Sequence, residues 1–198
     1  MKNAIIMLIC MIVLPTLPGC GADREAARLD AFRAALSDAS VTVTAEVSAR
    51  DGDDVAVFTL RCAETAEGCE IEVLAPEEIA GVRAHLAEGE TALQFEDLIL
   101  PMPQTPNTVS PLRALPLLLQ AVRTGYVDLV WQEDGLAAQL IADDDTAVRL
   151  YFDDTDTPAA AEIDAGGHTN VFCTITGWTT EKRTPNESND PNVGGDQS

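Results

Sequence analysis

Apolar positions recur along this chain with two periods. From residue 41 to 50, Val41, Val43, Ala45, Val47 and Ala49 alternate with Thr42, Thr44, Glu46, Ser48 and Arg50. That is the pattern of a strand with one buried face. The stretch 110–125, SPLRALPLLLQAVRTG, has helical spacing instead: Leu112, Leu115, Leu118, Leu119 and Val122 share one broad face. Ser110 suits the N-cap, Pro111 the first helical position and Gly125 a left-handed stop. Pro116 removes one hydrogen bond and crowds the preceding turn, so the helix either kinks there or begins there. A second helical stripe, Ala22, Ala26, Leu29, Phe32 and Leu36, runs through residues 22–37. Its acids and its few arginines suit a helix packed on a sheet better than one lying on a membrane.

The remaining segments read as strands and turns. If Cys62 stands opposite Cys69, then Leu60 meets Ile71, Phe58 meets Val73 and Arg61 meets Glu70. One register then buries the apolar pairs and brings two thiols within disulfide reach. Cys173 alternates with Val171 and Ile175 and reads as core. Residues 76–81 interrupt the sheet as about one helical turn. Segments 82–86 and 91–95 form a hairpin pairing Ala84 with Leu93 and Val82 with Phe95, which turns His85 outward. Residues 101–107 hold three prolines and read as an irregular loop. Asp134-Gly135 predicts a two-residue hairpin with Trp131 beside Ala138 and Leu129 beside Leu140. Segments 146–152, 159–163 and 171–178 complete the set. The simplest architecture is mainly β with α: a large antiparallel sheet wrapping an apolar helix.

The N-terminus changes where this domain is expected to work. After Lys2, residues 4–14 carry no charge, which is too short to span a bilayer and suits a signal-peptide core. Leu17-Pro18-Gly19-Cys20 follows, resembling the bacterial lipobox. It implies removal of residues 1–19 and attachment to a membrane through a diacylglycerol-modified Cys20. An extracytoplasmic site also permits disulfides. The chain carries 12 Lys and Arg against 33 Asp and Glu, a net charge of −21. Loss of Lys2 with the leader makes it more negative still. That excludes nucleic acid as a partner and leaves the lipid, not a basic patch, as the membrane attachment. Residues 20–178 form one domain, and 179–198 turn to Pro, Asn, Gly, Ser and Asp, a disordered polar tail.

Little in the chain points to catalysis. There is no Gly-x-Ser-x-Gly, no phosphate loop and no His-Glu-x-x-His. The acidic runs 143–145 and 153–156 lack the EF-hand spacing and read as hairpin turns. Neither a metal nor a cofactor is expected. Phe58, Phe95 and Trp131 face Leu115, Leu118 and Leu119 in this reading, as a ligand cavity or as plain core. The wider set of cavity candidates adds Leu60, Ile71, Val73, Leu93, Leu129 and Leu150.

Residues 73–82 (VLAPEEIAGV), 93–98 (LQFEDL), 110–116 (SPLRALP) and 158–163 carry a resemblance. With the lipobox, they resemble the LolA/LolB-like lipoprotein-carrier fold, closest to the anchored, germination-type lipoproteins of Gram-positive bacteria. The resemblance implies a curved sheet, an unclosed barrel, with helices in its concave face. It implies a non-enzymatic lipoprotein binding lipid or lipoprotein acyl chains there. The alternative it allows is a lipoprotein that binds and supports an envelope or spore cell-wall enzyme.

Overall fold

The structure, a computed structural model, describes residues 22–51, 54–87, 90–95, 98–101, 110–166 and 168–183. Helix α1 (Ala22–Leu36) leads into β1 (Ala39–Asp51), β2 (Asp54–Glu64) and β3 (Cys69–Ala75). A single 3-10 turn, Glu77–Ile79, precedes β4 (Arg83–Ala87), β5 (Glu90–Phe95) and β6 (Leu98–Pro101). Helix α2 (Pro111–Thr124) follows, then β7 (Tyr126–Gln132), β8 (Leu136–Asp143), β9 (Thr146–Phe152), β10 (Pro158–Ala165) and β11 (His168–Lys182). All the described strands join one antiparallel sheet of eleven, in the order β6-β5-β4-β3-β2-β1-β11-β10-β9-β8-β7. It is two meanders sewn together where β1 pairs with β11, from Ala39 opposite Lys182 to Ala49 opposite Val171.

The sheet is open and strongly curved. Helix α2 touches both β2 and β8, which stand five places apart in the strand order. Five steps of ~4.8 Å are about 24 Å in a flat sheet, twice the width of a helix, so the sheet has to wrap round it. Alternate residues of the strands fill the inside: Val41, Val43, Leu60, Ile71, Leu140, Val148, Leu150 and Ile163 are all buried. Leu115, Leu118, Leu119 and Val122 of α2 meet them in one core. Helix α1 buries Leu29 and Leu36. Its Phe32 sets its ring edge-on to Phe152 at 4.9 Å.

Helix α2 runs unbroken from Pro111 and does not restart at Pro116. Its ends differ from the expected caps. The Ser110 side chain caps nothing; its carbonyl instead accepts the Arg113 N–H at 2.8 Å. Gly125 is extended, at φ −61°, and not left-handed. The end carbonyls are satisfied from outside, because the two helices exchange arginines. Arg33 of α1 donates to the carbonyls of Val122 and Gly125, both at 2.7 Å. Arg123 of α2 donates to those of Leu36 and Ala39, both at 2.7 Å. Orphan carbonyls at a helix end need such donors, and a cation there also suits the dipole.

Two registers differ from expectation. Cys62 stands opposite Ile71, and Cys69 opposite Glu64. The connecting loop is shorter than expected, with the Thr65 N–H donating to the Gly68 carbonyl at 2.8 Å. Gly68 sits at φ +147°, so near the Leu86 carbonyl that a Cβ would lie 2.0 Å from it. The slip of two residues keeps every side chain on its face, and Arg61 now pairs with Glu72. Cys62 and Cys69 are free thiols in this structure, on diagonal positions of the hairpin with their side chains close enough to hydrogen-bond.

The β7–β8 register slips by one. Gln132, not Glu133, faces Leu136, because Glu133 joins the turn and donates its N–H to the Gly135 carbonyl at 2.9 Å. A one-residue slip exchanges the faces of a strand. Leu129 is therefore 55% exposed on the outer surface, and Trp131 packs edge-on to Tyr151 there, 6.2 Å between centroids. Neither lines the interior. At the other end of the chain, β11 runs on to Lys182, so the ordered domain extends past residue 178.

Candidate cleft beside the central helix

The interior beneath α2 is filled. Leu60, Ile71, Leu115, Leu118 and Leu150 are 0% exposed, Val73 and Leu119 2%. A side chain lining a water-sized void would retain accessible surface, so no such void borders the first five. Phe58 and Leu93 are half-buried against the same core. Among the expected cavity residues, Phe95 has a side chain outside the described set, and the expected lipidation site, Cys20, lies outside the described residues altogether.

An open cleft of about 950 Å³ lies instead along one flank of α2, between the helix and the β2–β3 loop, β3 and β4. That volume is at the upper end of the range typical of small-molecule sites. One stripe of α2 forms a wall: Arg113, Pro116, Leu117, Gln120, Arg123 and Thr124. They recur at three- and four-residue steps, so the helix presents them together. Leu86 adds apolar surface, the buried Leu119 lies at the cleft's floor, and Cys69 and Glu64 lie on the facing strands.

Three arginines border this cleft in a chain of net charge −21. Arg123 is committed to the fold: it pairs with Glu64 as well as the carbonyls of α1 and β1. Glu64, 8% exposed, also accepts the Val41 N–H at 2.8 Å. Its charge is thereby matched in a site with little water. Arg183 donates its backbone N–H to the Asp38 carbonyl at 2.9 Å and holds its guanidinium 3.9 Å from Glu64. The Arg113 guanidinium makes no hydrogen bond or ion pair with any described residue. The sequence reading passed over all three. Two arginines ten residues apart on an otherwise apolar helix were the available signal.

The thiols differ in character. A hydrogen bond from Cys62 holds the Cys69 thiol below its usual range, with Arg123 assisting and burial and Glu64 opposing. Donating that bond, and being buried, pushes Cys62 up. Burial alone pushes Cys173 to about 12. Only the thiolate alkylates readily. Iodoacetamide at neutral pH is expected to modify Cys69 well before Cys62 or Cys173, and Cys62→Ala should slow Cys69. Peptide mass spectrometry showing all three modified together would contradict this order.

The acidic turns are structural. Asp153 accepts the N–H groups of Thr155 and Thr157, at 2.8 and 3.0 Å. The Thr155 hydroxyl is the main cause that holds its carboxyl below the usual range. Among the described residues no group of three His, Cys, Asp or Glu is placed to hold a metal ion. His85 is exposed. His168 opens β11 opposite Ala165.

No family model and no curated protein matches the chain. Solved structures of similar shape exist at low identity. A LolA superfamily protein from Nitrosomonas europaea is 7% identical at a TM-score of 0.45, covering 83% of this chain and 94% of its own. A domain from Vibrio parahaemolyticus, provisionally described as an outer membrane lipoprotein-sorting protein, is 10% identical at 0.41, covering 86% and 95%. An uncharacterized conserved protein from Thermus thermophilus is 15% identical at 0.42, covering 82% and 89%. The functional reading therefore rests on this chain's own residues.

Proposed function

We propose that this chain is a non-enzymatic extracytoplasmic lipoprotein that binds a lipid or acyl chain on the concave side of its sheet. The cleft beside α2 carries the reading. Its apolar surface comes from the half-buried Leu86 and Pro116 and borders the buried Leu117 and Leu119, while the space under Leu115 and Leu118 is closed. The ligand site thus sits on the flank of the helix and not beneath it. No described helix is long and apolar enough to cross a membrane; attachment in this reading comes from a diacylglycerol-modified Cys20.

Native mass spectrometry of the Cys20→Ala chain is expected to show a copurifying or added acyl ligand. Leu86→Glu, at a half-buried position in the cleft, should keep the circular dichroism spectrum and lose that ligand. A folded Leu86→Glu protein that binds as before would remove the cleft from the site. Fractionation tests the anchor separately. Wild-type protein should pellet with membranes and Cys20→Ala should not; a Cys20→Ala protein still in the pellet would refute lipid attachment at that residue.

One observation favours the second reading, an envelope protein as partner. On the face turned away from the helices, Val57 and Phe172 flank Ser48 in one cross-strand row. They are 48% and 41% exposed. Adjacent exposed apolar side chains on a sheet face are a common feature of interaction surfaces.

A further inference from the structure

Resting on the reading of the cleft as a lipid site, we infer that it selects amphiphiles with an anionic headgroup, held by Arg113. Arg113, Arg123 and Arg183 face Glu64 and Glu67 across this cleft, a local excess of positive charge on a strongly negative chain. The excess is concentrated at one end. Arg123 and Arg183 share Glu64, whereas the Arg113 guanidinium has no partner among the described residues.

Its position sharpens the point. Arg113 lies in the first turn of α2, where a cation opposes the helix dipole. Nothing described there offsets that cost, so an anion supplied from outside would meet both the guanidinium and the dipole favourably. Arg113 stands ten residues from Arg123, about 15 Å along the axis. Pro116 lies between them, with Leu86 and Ala87 across the cleft, all three half-buried. A chain laid on this apolar stretch would place its head at Arg113. The guanidinium fork donates paired hydrogen bonds to a carboxylate or a phosphate.

The test uses the Cys20→Ala chain and three twelve-carbon probes below their micelle concentrations: dodecanoate, dodecyl phosphate and neutral monododecanoyl glycerol. Both anions should bind at least tenfold more tightly than the neutral probe, and the tighter of the two names the headgroup. Arg113→Gln should bring the anions down to the neutral level. Arg61→Gln, on the opposite face of the sheet, should leave all three as in wild type. Equal binding of charged and neutral probes, or Arg113→Gln without effect, would overturn the headgroup assignment while leaving the lipid reading intact. Binding of none of the three would overturn the lipid reading itself.

Discussion

Replacing Arg123 with methionine is expected to be among the most damaging single changes in this protein, costing about 3–5 kcal/mol of stability. The methionine keeps much of the stem's packing but leaves the Glu64 carboxylate, 8% exposed, without its main cation. Among the described residues only Arg183, at 3.9 Å and half in solvent, remains near it. The change also strips two donors from the carbonyls of Leu36 and Ala39. A domain of this kind has about 5–15 kcal/mol in total. Urea denaturation should show a much lower midpoint, and the Arg123→Met, Glu64→Gln pair should recover part of the loss by removing the stranded charge. A midpoint shift worth under about 1 kcal/mol, the usual value of a surface pair, would show that the site is wet.

Leu118→Asp is expected to prevent folding outright. Leu118 is 0% exposed in the core between α2 and the sheet. A carboxylate there has neither water nor a partner, and its burial costs several kcal/mol or forces it to take up a proton. Leu118→Ala should cost about 2–5 kcal/mol through the cavity it opens. Leu118→Met, nearly equal in volume, should cost under about 1.5 kcal/mol. Soluble yield and circular dichroism separate these outcomes. A folded Leu118→Asp domain would mean that water reaches the interior beneath the helix, and the acyl site would move back there.

The alternation of residues 41–50 and the helical spacing of 110–125 made the architecture legible, because each period assigns a face without reference to the rest of the chain. Registers were harder to read, for a reason the two slips make plain. In β2–β3 a shift of two exchanged Ile71 for Val73 opposite Leu60. The hydrophobic pattern scores both alike, so every buried residue was still identified. In β7–β8 one extra turn residue, Glu133, moved Leu129 and Trp131 to the outside. An aromatic residue beside an apolar face says little about which way it points. The cleft was hidden more deeply. It joins α2 to the β2–β3 loop, β4 and Arg183, and only the fold makes neighbours of Arg123 and Glu64, 59 residues apart.

The join between β1 and β11 sets an order of assembly. Each meander is local and can begin as soon as its own strands exist. The middle of the sheet must wait, since Ala39 meets Lys182 only once nearly the whole domain has been made. Contacts so far apart are slow to form. A chain cut before His168 would therefore lose the central seam and keep both edges, leaving two half-sheets with one face of the helix between them uncovered. Such a fragment would be sticky and short-lived. In the proposed reading of the chain as exported from its N-terminus, late closure would keep it pliable until its last strand emerges.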